Sequence, residues 1–211
     1  LEIPVPEPRQ VLLSAFRRDP DGSPLRTPSG KIEIFSETID GFGYPDCPGH
    51  PVWLEPAEWL GGRPRRYRLQ LVANQPRRRL HSQLDVGAYS QEGKIRGREP
   101  VAMNPRDAEA RGITDRSCVR VFNDRGSCLA GVTLTEDVRP GVVQLSTGAW
   151  YDPDPGDPSF CRHGNPNVLT LDKGSSRLAQ ATVANTALVE VERLDKDPGL
   201  VRAFEPPRIH A

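Results

Sequence analysis

The sequence predicts a mainly β fold with short helices, α+β in class and closed into a barrel, rather than a doubly wound sheet. Three observations carry this. Short segments of strand-forming residues recur from residue 66 to 191, one well-signalled helix lies among them, and turn residues separate most of them. The chain of 211 residues suits one domain of ordinary size with arms, and it can bury a true core.

The first strand is expected at Arg66–Ala73, where Tyr67, Leu69 and Leu71 share one face. Pro100–Met103 is short and apolar. Asn104 then reads as a helix cap, with Pro105 at the first helical position, Asp107 as the acid three residues on, and Gly112 as a left-handed stop. Cys118–Phe122 sets Cys118, Arg120 and Phe122 opposite Val119 and Val121. Ser127–Thr135 alternates loosely, Val142–Leu145 follows an Arg-Pro-Gly turn, and Thr186–Val191 makes a final strand. Before the barrel, Lys31–Phe35 is expected as a short strand after the Thr-Pro-Ser-Gly turn at 27–30. The layout expected is a proline-rich arm over residues 1–63, a barrel over 64–194 and a tail over 195–211.

The formal net charge of +0 conceals an asymmetry. Up to Gly62 ten acids face five bases, whereas Arg63–Arg98 holds nine arginines and Lys94 against Asp85 and Glu92 alone. Such clustering predicts an anionic partner. Nucleic acid is one candidate, but aromatic residues interleaved with the basic ones are sparse, Tyr67 and Tyr89 only. No apolar run approaches the roughly 20 residues that cross a bilayer. No targeting leader is visible; Leu1 opens directly into a proline-spaced segment and Met103 is the only methionine, which reads as a piece of a longer chain. Cys47, Cys118, Cys128 and Cys161 lack the paired short spacing of a zinc site. The acidic run Asp152–Asp157 lacks calcium-loop spacing, and Ser176 lacks a nucleophile elbow. Dinucleotide and triphosphate glycine motifs are absent.

The richest chemistry lies at residues 74–83. Asn74, Gln75, Arg77, Arg78, Arg79, His81, Ser82 and Gln83 come directly after a mostly apolar strand. Guanidiniums suit phosphate oxygens and carboxamides suit heteroaromatic ring edges, so the loop reads as a grip for a nucleotide-like cofactor. Two further groups offer similar donors: Trp150 with Asn165 and Asn167 around Pro166, and Ser175–Arg177 with Gln180 and Asn185. Asn104 is explained by its cap, with a ligand role secondary.

In order, Leu69–Gln83, Gly97–Pro100, Asn104–Ala108 with Arg111–Ile113, Val119–Gly126, Gly141–Val143, Gly148–Pro153 and Gly164–Thr170 resemble the carboxy-terminal domain of molybdopterin oxidoreductases. Thr27–Glu37 resembles the segment preceding that domain. The likeness, over roughly residues 24–193, is closest to the dimethyl sulfoxide, trimethylamine N-oxide and biotin sulfoxide reductases. It implies a double-psi β-barrel that binds molybdopterin guanine dinucleotide, two such cofactors holding one molybdenum in an enzyme that reduces small S-oxides or N-oxides. Upstream domains of the same enzyme are the implied partners, and the molybdenum ligand falls in one of them. By position the resemblance assigns Asn74, Gln75, Arg79, His81, Ser82 and Gln83 to the cofactor, then Asn165, Asn167 and Gln180, then Asn104 and Trp150. Asp115-Arg116-Ser117 departs from the family's Asp-Gly-Asp, which touches a turn and not the site. Likeness to the biotin sulfoxide type favours the cytoplasm; the trimethylamine N-oxide type implies the periplasm. Two rival readings remain: a nucleic-acid-binding module built on the basic stripe, and a non-catalytic assembly domain of related fold.

Overall fold

The structure, a computed structural model, describes residues 11–62, 66–196 and 198–206. Its strands are β1 (Leu69–Val72), β2 (Pro100–Met103), β3 (Cys118–Phe122), β4 (Ser127–Leu134), β5 (Val142–Leu145), β6 (Pro153–Asp154), β7 (Asp157–Cys161) and β8 (Ala187–Arg193). Its α-helices are α1 (Ser14–Arg18), α2 (Glu37–Asp40), α3 (Ala88–Gln91) and α4 (Pro105–Glu109).

Six strands close on themselves in the order β2, β5, β1, β8, β3, β4, with β4 returning to β2. Two pairs in this ring are parallel, β1 with β5 and β2 with β4, and the others are antiparallel. This is the double-psi β-barrel that the resemblance implies, with the β6–β7 hairpin added outside β4. The barrel is filled by Leu69, Leu71, Val101, Met103, Val119, Val121, Val132, Val143, Leu145 and Val189, all fully buried. Alternation holds where one strand face meets this core: β1 buries Leu69 and Leu71 and half-exposes Gln70 and Val72. β4 instead buries its first six residues, with Ile95 packed closely over Gly131 and β7 paired along the edge at Ser127 and Cys128.

Chain direction decides which loops meet. β1 and β5 run parallel, so Asn74 and Ser146 emerge at one end of the barrel. β2 runs antiparallel to β5, so Glu99, just before β2, lies at that same end. Asn104, just after β2, lies at the other, roughly 13 Å of strand away.

Around α4 the expected signals operate. Asn104 accepts from the Arg106 amide at 3.0 Å, and Gly112 takes φ 62° beyond the helix. Asp107, however, accepts from the Gly141 amide at 2.7 Å instead of bonding back to the cap. Lys31–Phe35 is not a strand. No partner edge pairs with it among the described residues, and Ile32 and Ile34 stand exposed. Tyr67 precedes β1 and is half-buried, its hydroxyl donating to Asp124 at 2.5 Å rather than entering the core.

The chain divides into two compact units, one of residues up to Leu54 with Ser176–Leu178, the other from Glu55 onward. The arm–barrel boundary expected at 63/64 falls on residues 63–65, outside those described. Glu58 belongs with the barrel: it pairs with Arg125 at 2.6 Å and accepts the Leu188 amide at 2.8 Å. Residues 198–206 of the expected tail also pack in the barrel unit, while 197 and 207–211 lie outside the described residues. Among the described residues no helix is long and apolar enough to cross a membrane.

Candidate cofactor site

Loop 73–87, between β1 and α3, is pinned to the segment after β5. Thr147 N–H donates to Asn74 O at 2.9 Å, and the Ser146 hydroxyl donates to Asn74 Oδ1 at 3.2 Å. The Trp150 indole N–H donates to Ser82 O at 2.8 Å. Between these ties the two backbones nearly touch. A Cβ on Gly148 would lie 1.9 Å from His81 O, so the glycine, at φ 84°, is required by this close approach. His81 and Leu84 are also left-handed, at φ 51° and 58°. For non-glycine residues that costs about 1–2 kcal/mol each, strain that gathers at ligand clamps.

Under the loop lies a buried set of charges. Lys94 Nζ sits 2.8 Å from Asp85 and 2.6 Å from Glu99. The Arg79 guanidinium reaches Glu99 at 3.1 Å and Asp85 at 3.4 Å, and also donates to Thr147 O at 2.8 Å. All four side chains are at most 4% exposed. Asp85 further accepts from Ser90 Oγ and the Trp150 amide. Burial by itself would raise the Asp85 carboxyl, but the Lys94 hydrogen bond, the Trp150 amide and the charges of Lys94 and Arg79 outweigh it and hold the pKa below the ordinary value. Fully buried His163 sets Nδ1 2.9 Å from Trp150 O, and Glu99 N–H donates to His163 O at 3.1 Å. Burial first and Lys94 second lower the His163 pKa, with Trp150 O, Asp85 and Glu99 opposing. A neutral imidazole whose Nδ1 must donate leaves Nε2 a bare acceptor, and Nε2 is buried without a hydrogen-bond partner among the described residues. The Phe204 ring packs edge-on to His163, centroids 5.0 Å apart, and 5.4 Å from Trp150.

A cavity of about 170 Å³ opens beside this set, lined by Pro76, Arg77, Arg79, Lys94, Glu99 and Ser146 among others. Whole-ligand pockets run to roughly 300–1,000 Å³, so it suits one part of a larger molecule. A larger cleft of about 540 Å³ lies by β3 and β7, but two of its three arginines are engaged, Arg120 with Glu192 and Arg162 with Asp154, and the third, Arg202, lies 4.0 Å from Glu205.

Residues 69–188 match the family model described as "Molydopterin dinucleotide binding domain". The chain belongs to this family. Its relatives include a dimethyl sulfoxide/trimethylamine N-oxide reductase of Cereibacter sphaeroides, 46% identical over 211 residues, 99% of this chain and 26% of that one. Trimethylamine-N-oxide reductase 1 of Escherichia coli K12 is 52% identical over 184 residues, 85% and 22% of the two chains. The chain thus spans about a quarter of the length of these relatives. Among solved structures, acetylene hydratase from Pelobacter acetylenicus shares the fold with a TM-score of 0.67 at 17% identity, over 83% of this chain and 25% of that one.

Within this molybdopterin dinucleotide binding domain, the sequence-assigned residues separate into groups. Gln75, His81, Ser82 and Gln83 stand exposed on the rim, and among the described residues their side chains engage no partner. Asn74 is half-buried beside them. Trp150 joins them through Ser82. Arg79 faces inward instead, its guanidinium committed to two carboxylates and to the carbonyls of His81 and Thr147. Asn165 and Asn167 come just after the Gly164 turn, where Asn165 caps a short 3-10 helix by accepting from the Asn167 amide. Gln180 lies exposed in the 174–182 turn. Asn104 is not brought to this rim: its amide donates to Val138 O at 2.8 Å, at the opposite barrel end. Asp85, Lys94, Glu99 and Gly148 were not assigned to the site from the sequence, although Glu99 and Gly148 fall in segments that carry the resemblance. The signal available was a charged pair, Arg98-Glu99, directly before an apolar strand.

Among the described residues the basic stripe does not form one surface. Lys94, Arg98 and the side chain of Arg79 are buried, Arg66 pairs with Asp124, and Arg78 pairs with Glu92. Arg98 itself donates to the carbonyls of Pro198 and Gly199. A nucleic-acid interface therefore loses its main support.

Proposed function

We propose that this chain is the carboxy-terminal cofactor-binding domain of a molybdenum enzyme that reduces S-oxides or N-oxides, with molybdopterin guanine dinucleotide as the form bound. The observation that carries the reading is the rim: exposed, uncommitted donors and acceptors from Gln75, His81, Ser82 and Gln83 gather on one backbone-locked loop in a chain of this family. The relatives' names supply the substrate class.

These side chains, with Asn74, would hold the pterin and nucleotide edges. Arg77, exposed and without a partner among the described residues, takes the phosphate role expected of Arg79. Asn165, Asn167 and Gln180 would extend the contact, and Asn104 would not take part. The small cavity suits a cofactor whose second half, and whose metal, are held by upstream domains. When bound, the group supplies two-electron reduction of an S–O or N–O bond; this chain binds and orients it.

The test uses the full-length protein purified with its cofactor. Reduced viologen should be oxidised by dimethyl sulfoxide or trimethylamine N-oxide, and acid hydrolysis should release guanosine monophosphate. Gln75→Ala combined with Ser82→Ala should lower bound pterin about tenfold or more, as expected for two lost polar contacts. Full pterin content in that variant, or release of a different nucleotide, would reject the assignment.

A further inference from the structure

We infer that the buried tetrad Arg79, Asp85, Lys94 and Glu99 is the positioning device of this site, locking loop 74–87 against the 146–150 segment and His163 so that the rim is formed before ligand arrives. The inference rests on the cofactor reading above and adds to it a role in holding the loop, beyond the cavity wall that Arg79, Lys94 and Glu99 also form.

Placement argues for it first. The four side chains come from three separate stretches: the long loop (Arg79, Asp85), the segment after α3 (Lys94) and the residue before β2 (Glu99). Each carboxylate meets both cations, and each cation meets both carboxylates, at 2.6–3.4 Å. Outward links then run to each neighbouring loop. Arg79 holds Thr147 O, Asp85 holds the Trp150 amide, and Glu99 N–H holds His163 O. Trp150 in turn holds Ser82 on the rim.

Energetics argue second. Buried ion pairs are poor providers of net stability, because apolar residues of similar volume commonly do as well. The barrel interior follows that rule, its strands meeting in one contiguous apolar cluster. The tetrad sits instead at the barrel end, beneath the loop whose geometry the site needs. Directional, multivalent contacts there fix geometry where apolar packing would leave a loop of this length free to shift. The two charges of each sign cancel, so the set stays neutral in its buried setting.

The test is made on the full-length protein with Lys94→Met/Glu99→Gln, which removes one charge of each sign and keeps the site neutral. Amides of residues 79–87 and 147–150 should exchange hydrogen about tenfold faster or more, while amides of β3 and β8 stay within roughly twofold of the parent. Bound pterin should leave about tenfold faster on dilution. If the double variant fails to fold, Glu99→Asp keeps every charge but withdraws the carboxylate by one methylene, and it carries the same expectation. Unchanged loop exchange, or loop and strand amides accelerating together, would overturn the inference. The Gln75/Ser82 variant separates the two ideas: pterin retained there removes the cofactor reading itself. Pterin lost there but kept by the tetrad variant removes only the positioning role.

Discussion

Replacing Gly148 by alanine places a methyl group where the two rim backbones meet. The new Cβ would lie 1.9 Å from His81 O, 2.3 Å from His81 C and 2.8 Å from Ser82 N, where ordinary contact begins at 3.4 Å. All three obstacles are backbone, so no rotamer change relieves them; the loops must part by about 1.5 Å, the difference between those contacts. Thr147–Asn74 and Trp150–Ser82 hydrogen bonds flank the position and resist parting. Overpacking of this kind costs about 1–3 kcal/mol, and the left-handed φ of 84° adds about 1–2 kcal/mol for alanine. The sum, about 2–5 kcal/mol, corresponds to local opening between roughly thirtyfold and several thousandfold more frequent, at tenfold per 1.4 kcal/mol. Hydrogen exchange of amides 80–85 and 147 in the full-length protein reads this directly. Parent-like exchange in Gly148→Ala would show that the two loops are not locked together.

Asn104→Ala should behave in the opposite way. It removes a helix cap worth about 1 kcal/mol and orphans a buried carbonyl, Val138 O, at about 1–3 kcal/mol more, so denaturant midpoints should fall while pterin content holds. Pterin loss at unchanged stability would instead place Asn104 in the site. Acid should also weaken the fold in two stages. With His163 held below its ordinary 6.5, the unfolded chain binds a proton that the folded chain refuses. Stability is therefore full above pH 6.5 and declines from there toward the folded pKa, by at most about 1.4 kcal/mol per pH unit. Asp85 acts with the same sign lower down, its contribution present above its ordinary 3.8 and lost as pH falls through the folded value. Urea unfolding at about pH 7 and about pH 5.5 should show the first decline, and His163→Gln should flatten it. A fold that gains stability on acidification over that range would contradict a neutral buried imidazole.

Legibility tracked the range of the interaction. Strands β1, β2, β3 and β5 were visible because a pattern of four or five residues suffices when one face meets an apolar core. Helix α4 was visible because Asn104, Pro105 and Gly112 act within their own turn. Lys31–Phe35 carried the same local pattern and formed no strand, since a strand also needs an edge to pair with. The β6–β7 hairpin hid in an acidic, proline-rich run, and its pairing with β4 at Cys128 and Cys161 depends on residues over 30 positions apart. The candidate site divides in the same way. Gln75, His81, Ser82 and Gln83 could be named from composition alone, because exposed donors need no partner to be recognised. Arg79 could not be told from Arg77, because their neighbours along the chain are nearly the same.

The order of side chains along the chain is enough to place the barrel strands, cap the helix and concentrate hydrogen-bonding groups on one loop, all properties decided within a few residues. Only the closed tertiary structure decides which arginine turns inward, which asparagine lies at the far end, and which acids lie beneath the rim. Each of those outcomes depends on burial and on charges brought within about 3 Å from distant segments, and at that range their interaction outweighs any local preference.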